Sequence, residues 1–345
     1  MSGILNHAAA IACLLGISFI VTGIPAFAEP PAVEEVLSVL EMDERQINEL
    51  AQGQPVIYAL SENRSDEIAA GIAWYLPVPL AKVAGHLRTD NPDLLDVDVT
   101  VHGMLTAHSK VDALSPVVLS DEETEALLDA EPGDKFNLSG HEIEKLKTLK
   151  RTSNGSPHKA IRDTIEQRYR EILFDRFEAY QRNGTYAIAS YAREKNLNIK
   201  PSVELDQAAN ASVILARYVP DLHKAWINYP TTLPPKTNEM FQWVEKNVQN
   251  RPAVILRHHV NYDWNGGTLI LTREFYASHS YNSSQWITGC LAFRDGTVVF
   301  QQVRSYADQL AGVATDVRHL IGRKLLKNKM LKSFERLCGV LGQCH

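Results

Sequence analysis

The sequence predicts an α+β fold: a curved antiparallel sheet closed by one long C-terminal helix. Three observations predict it. Residues 253–305 read as four strands joined by tight turns, with Asp295-Gly296 as a two-residue hairpin signal. Residues 308–338 follow with the spacing of a long amphipathic helix. Nearer the N-terminus, 56–60, 67–76 and 96–108 carry further strand patterns.

The first 28 residues stand apart. His7 is their only potentially charged side chain, Ala8 to Ile24 is apolar, and Ala26-Phe27-Ala28 fits a signal peptidase site. A signal peptide cleaved after Ala28 is expected, with export to the periplasm or the exterior; retention as an N-terminal anchor is the alternative. No later segment is long and apolar enough to span a bilayer. Residues 29–345 are expected to form a single domain with a helical insertion at about 120–250. A net charge of −6 on 345 residues argues against a nucleic-acid binder, which needs clustered positive charge to offset phosphates.

Val36 to Ala51 reads as one helix ended by Gly53 and Pro55. Val56 to Leu60 and Glu67 to Leu76 read as strands, and Pro79 suits the first turn of a short helix reaching Arg88. In 96–108, Val97, Val99, Val101, Leu105 and Ala107 fall on one side, with Asp96, Asp98, Thr100, His102 and Thr106 on a wet side. The middle is helical. Ser120 and Ser139 are N-cap candidates, the latter with Glu142 three residues on. His158 to Arg182 is strongly amphipathic and ends at Asn183-Gly184. Leu205 to Tyr218 and Asn238 to Val248 also read as helices.

The turns set a strand register. Asp263 pairs with Thr268, His258 with Arg273, Arg273 with Leu291, and Leu291 with Phe300. One face then collects Val254, Leu256, His258, Val260, Tyr262, Leu269, Leu271, Arg273, Phe275, Ala277, His279, Ile287, Leu291, Phe293, Val298 and Phe300. This is expected to be the inner face. Arg257 and Glu274 pair on the other, as a solvated ion pair. Within the inner set, His258, Arg273, His279 and Arg304 are costly to bury unpaired. Arg273 and Arg304 converging on a carboxylate or phosphate would satisfy both. The candidate ligand-binding residues are therefore Arg273, Arg304, His258, Tyr262, Phe275, His279, Phe300 and Gln302.

Catalytic signals are weak. His279, Gln285 and Tyr306 fall at one level and make an acid–base cluster conceivable, so His279, His258 and Tyr306 are the candidates. A satisfied polar core is the simpler explanation. The sequence has no Gly-x-Ser-x-Gly elbow, no His-Glu-x-x-His and no Gly-rich phosphate loop. His258 and His259 face opposite ways and His279 lies far along the sheet, so no metal site and no cofactor is indicated. Cys338 and Cys344 could close a small disulfide loop, leaving Cys290 buried in a strand. In the last helix, Leu310, Val313, Val317, Leu320, Ile321, Leu331 and Phe334 form the stripe expected to cover the sheet. Arg318, Arg323, Lys324, Lys327, Lys329, Lys332 and Arg336 form a basic face suited to a membrane surface or an acidic partner.

The element order at the two ends of the chain resembles the helix-grip fold of the START and Bet v 1-like superfamily: paired strands at Val56 to Leu76, the short helix after Pro79, the strand at Asp96 to His108, the strands of Ala253 to Ser305 and the helix from Asp308. The segment Arg273-Glu274-Phe275-Tyr276-Ala277-Ser278-His279 also resembles a stretch of uncharacterised bacterial secreted proteins. The superfamily resemblance implies a cavity under the C-terminal helix and a lipid or other apolar small molecule as partner, with hydrolase or cyclase chemistry in some members. The expected function is binding of an amphipathic ligand with an acidic head. A cavity-histidine enzyme and a peripheral membrane interaction protein are the alternatives.

Overall fold

A computed structural model describes residues 31–88, 96–133, 135–152, 158–264, 267–311 and 315–342. The expected signal segment and Cys344 lie outside these residues.

Two helices, α1 (Val33–Val39) and α2 (Glu44–Ala51), lead into β1 (Val56–Ala59) and β2 (Glu67–Leu76), then α3 (Leu80–Leu87) and β3 (Val99–Leu105). The helical segment follows: α4 (Asp121–Leu128), α5 (Gly140–Thr152), α6 (His158–Asn183), the small pair β4 (Tyr191–Ala192) and β5 (Asn198–Ile199), α7 (Pro201–Asn210), α8 (Val213–Tyr218) and α9 (Pro220–Ile227). The chain ends with β6 (Thr237–Val248), β7 (Arg251–Trp264), β8 (Gly267–Ala277), β9 (Ser283–Phe293), β10 (Gly296–Tyr306) and α10 (Thr315–Leu341). Eight strands form one antiparallel sheet in the order β1-β2-β10-β9-β8-β7-β6-β3. The α+β class and the long C-terminal helix are as the sequence predicts. Among the described residues no helix is long and apolar enough to cross a membrane.

Both faces of the sheet are covered. The run Glu-Ile-Ala-Ala-Gly-Ile-Ala-Trp-Tyr-Leu of β2 is buried along almost its whole length, which a strand with one wet face would not be. One face, here the block face, packs against α1, α6, α7 and α9. The other, the α10 face, packs against α3 and α10.

The β7–β8 register is the predicted one, with Tyr262 opposite Leu269 and His258 opposite Arg273. In the β9–β10 hairpin Gly296 pairs with Phe293, and Arg294 rather than Gly296 takes a positive φ, of 52°. Gly296 serves a different need: a Cβ there would meet the Leu76 carbonyl of β2 at 2.2 Å. Arg273 pairs with Gln285, not Leu291. These displacements are even in residue number, so side chains keep their predicted faces. One exception is Ala277. A bulge between Leu256 and Arg257 sets Leu256 opposite Tyr276, and Ala277 turns to the α10 face beside Ile255 and Val244.

Three helix expectations are corrected. The helix read over 36–51 is split, because Asp43 caps α2 in a reciprocal box with Gln46 and Glu41 takes a φ of 60°. The helix read over 205–218 is divided at Ser212, whose hydroxyl accepts from Leu215 N and starts α8. The helix read over 238–248 is strand β6, paired with β7 and β3. Its apolar pairs Met240-Phe241 and Trp243-Val244 fit either period, and burial on both faces decides for the strand.

Candidate functional site: a cavity between the sheet and the C-terminal helix

The C-terminal helix is fastened at both ends, and Met330 and Ser333 are buried between them. Near its start, His319 Nδ1 lies 3.0 Å from Glu62 Oε2, its Nε2 lies 2.8 Å from the Ser65 carbonyl, and Arg323 Nε donates to Glu62 Oε1 at 2.8 Å. Further along, the Phe334 ring packs on Trp74 at a centroid distance of 4.7 Å, and Leu337 and Leu341 are buried. Along one flank of the helix, over the sheet, lies a cavity of about 790 Å³, walled by Ile68, Val248, Trp286, Leu310, Leu326 and Leu331.

One end of the cavity is charged. Glu274 accepts from Arg257 Nε at 2.9 Å, from Lys246 Nζ at 3.1 Å and from the Tyr281 hydroxyl at 2.6 Å. Asp96 accepts from Arg257 Nη2 at 2.7 Å and lies 3.0 Å from Lys329 Nζ, which also reaches Asp98 at 3.3 Å. Burial pushes the Glu274 carboxyl up, but Lys246 and Arg257 outweigh it and hold it down at about 2. Burial lowers Lys246 to about 8, against the opposing pull of Glu274. Three cations thus share two buried carboxylates and the more exposed Asp98. The expected solvated pair of Arg257 and Glu274 exists, but at 5% and 2% exposure it is buried in this cluster, and Asp96 leaves the predicted wet side to join it. Lys332, at the rim, is exposed.

A scan against protein-family models gave no match, and neither did a search of curated proteins. Among solved structures the chain is similar to that of Ara h 8.0201, at 11% identity and a TM-score of 0.23, over 41% of this chain and 89% of that one.

The residues singled out from the sequence lie mostly on the block face. There the helical segment fills the expected hollow around Arg273 and leaves a smaller cavity beside Arg304. Arg273 is fully buried: its Nη1 donates to the Tyr180 hydroxyl and its Nη2 to the Trp226 carbonyl, each at 3.1 Å, and its guanidinium stands 4.2 Å over the Trp226 ring. Having accepted from Arg273, the Tyr180 hydroxyl donates to His258 Nδ1 at 2.9 Å. The opposite nitrogen of His258 lies 3.0 Å from Glu239 Oε1. Phe275 stacks on Tyr180 with centroids 4.0 Å apart, and Phe300 covers Gly289. Tyr262 is half-buried at the margin of the same core.

Arg273 and Arg304 both pair across β9 with Gln285, so they stand at one level, roughly 10 Å apart across two strand spacings. They do not share a site. Arg304 reaches away to the buried Glu67 and to the Ser61 carbonyl at 3.0 Å. Arg304, Gln302, Gln285 and Ile287 line a second, smaller cavity of about 410 Å³ against α1, α7 and α8.

The catalytic candidates are dispersed. Tyr306 pairs with Ser283 and Glu67, not with Gln285. His279 is fixed by the Pro252 carbonyl at 2.9 Å and the Ser280 hydroxyl at 2.7 Å. His258 is boxed by aromatic rings, and burial lowers it to about 4, leaving it neutral near pH 7. In the C-terminal helix the expected stripe is kept at Leu310, Leu331 and Phe334 and is out of phase over the first half. His319, Met330, Ser333 and Leu337 face the sheet, whereas Val317, Leu320 and Ile321 are exposed; Val313 lies outside the described residues. Cys338 is buried, and so is Cys290, as expected.

Sequence reasoning missed Lys246, Tyr281, Trp286 and Lys329 as site residues. The recoverable signal was Arg257 opposite Glu274, which marks the face on which the charged end sits.

Proposed function

We propose that the protein binds an amphipathic small molecule in the cavity between the sheet and the flank of α10, its apolar body against Trp286, Leu326 and Leu331 and its acidic head toward Lys332, beside Lys246 and Lys329. The observation that carries this reading is the cavity itself: about 790 Å³, with Trp286, Leu326 and Leu331 in its wall and, at one end, the paired charges of Lys246, Lys329, Glu274 and Asp98 beside the exposed Lys332. Binding pockets for ligands of drug or fatty-acid size span roughly 300–1,000 Å³. Each methylene buried there contributes about 0.8 kcal/mol, so a long chain supplies most of the affinity and the ammonium groups set its orientation. The apolar segment Ala8 to Ile24 with Ala26-Phe27-Ala28 supports an exported location, in the periplasm or outside the cell.

Oleate is a suitable probe. Its uptake is expected to change the emission of Trp286, which lines the cavity, and Trp286→Phe should remove that change while leaving uptake intact by native mass spectrometry. Leu326→Trp, which narrows the void, should weaken uptake at unchanged fold; Lys332→Glu should weaken oleate more than the corresponding alcohol. Oleate uptake by Leu326→Trp equal to that of wild type would refute the assignment of the cavity.

A further inference from the structure

Val317, Leu320, Ile321 and Leu325 are 57, 68, 55 and 61% exposed. At 3.6 residues per turn they occupy one arc of about 140° on the first half of α10, away from the buried His319 and Met330. Large apolar side chains on successive turns differ from singly scattered ones and mark a surface that meets something. Arg318, Lys324 and Lys327 accompany them, and Asp316 is the one carboxylate between 316 and 328. Lys324 and Lys327 form no ion pair with a described residue, while Arg323 is taken by Glu62. Leu325 belongs to both features: it stands in the exposed row and also lines the cavity.

We propose that the first half of α10 docks on an anionic lipid bilayer and holds the mouth of the cavity at the level of the headgroups. Charge complementarity selects this occupant. A second copy would set basic helix against basic helix. The chain's own apolar N-terminal run carries no Asp or Glu before Glu29 and cannot neutralise the lysines. An anionic bilayer supplies hydrocarbon for the Leu and Ile side chains and phosphates for Lys324 and Lys327, whose stems lie along the interface. With a whole-chain charge of −6 the attraction is local, which orients the molecule on the surface. The inference rests on the proposed cavity function only for what passes between membrane and cavity, not for the docking.

The test is co-sedimentation of the purified protein with vesicles of phosphatidylcholine alone and of phosphatidylcholine mixed with phosphatidylglycerol. Wild type is expected to sediment with the mixed vesicles and not with the neutral ones. Leu320→Asp with Ile321→Asp, and separately Lys324→Glu with Lys327→Glu, should each lower the affinity by about tenfold or more. Both pairs lie outside the cavity wall, so uptake of oleate from solution should be unchanged. Absence of binding to the mixed vesicles, or binding by the variants equal to that of wild type, overturns the proposal. So does a dimer abolished by Leu320→Asp in a protein that binds no vesicle, since that assigns the row to a second copy. Vesicle binding by a protein that takes up no oleate supports the docking and removes only the cavity reading.

Discussion

At the residue scale, the charged end of the cavity stands or falls as a unit. Asp96 faces Arg257, Lys246 and Lys329 together, and Asp96→Asn leaves three cations with Glu274 and the more exposed Asp98. Removing one partner of a buried ionic group typically costs about 3–5 kcal/mol, because the remaining charge keeps its desolvation penalty. Urea unfolding of Asp96→Asn should show a loss of that order, and Asp98→Asn a much smaller one. Aromatic rings lying over glycines are a second feature of this scale: Tyr58 over Gly71, Trp243 over Gly103 and Phe300 over Gly289, each pair directly opposed on neighbouring strands. A Cβ on Gly289 would sit 2.2 Å from the Phe300 ring, which is fully buried. Gly289→Val should therefore cost about 1–3 kcal/mol by thermal or urea unfolding. The ring that occupies each glycine's place is set by strand register.

At the scale of elements, local chemistry decided where helices break, and it was readable in principle. Asp43 with Gln46 three residues on is a capping signature inside what otherwise reads as a continuous apolar stripe. Asp43→Ala should destabilise α2 by about 1 kcal/mol, measured as faster hydrogen exchange of its amides with little change elsewhere. Strand β6 was not readable in the same way. Its sequence holds good helix formers, Gln242, Glu245 and Lys246, and only the pairing with β7 and β3 fixes it as extended. The phase of α10 was also beyond the sequence. Two apolar stripes compete over 315–341, and the sheet takes the one that contains His319, because Glu62 and the Ser65 carbonyl satisfy that imidazole.

At the scale of the molecule, the predicted face set is kept but for Ala277, and the helical segment covers it. Even displacements kept Arg273, His258 and Phe275 together, yet that face meets the helical segment and the larger void lies on the opposite side. Alternation along a strand sorts residues into two faces but does not say which layer will cover each. Acid should destabilise the fold through residues of both faces. Burial leaves His258 and His259 neutral, lowered to about 4 and about 3 from an ordinary 6.5, so the unfolded chain takes up those protons first and stability falls as pH drops from about 6.5 to about 3. Glu274, held at about 2 against an ordinary 4.5, adds a loss in the same direction from about 4.5 to about 2. The urea midpoint should thus decline below pH 6.5, and His259→Gln should flatten the upper part of that decline.

The position of β10 bears on how the chain can be made. β10 lies between β2 and β9, and so joins the β1–β2 hairpin to the rest of the sheet. Until residues 296–306 have been synthesised, β2 keeps one long edge open, a template for pairing with other chains. Nascent chains stopped short of Gly296 should stay protease-sensitive and self-associate, and the sheet should close only after the final hairpin is released.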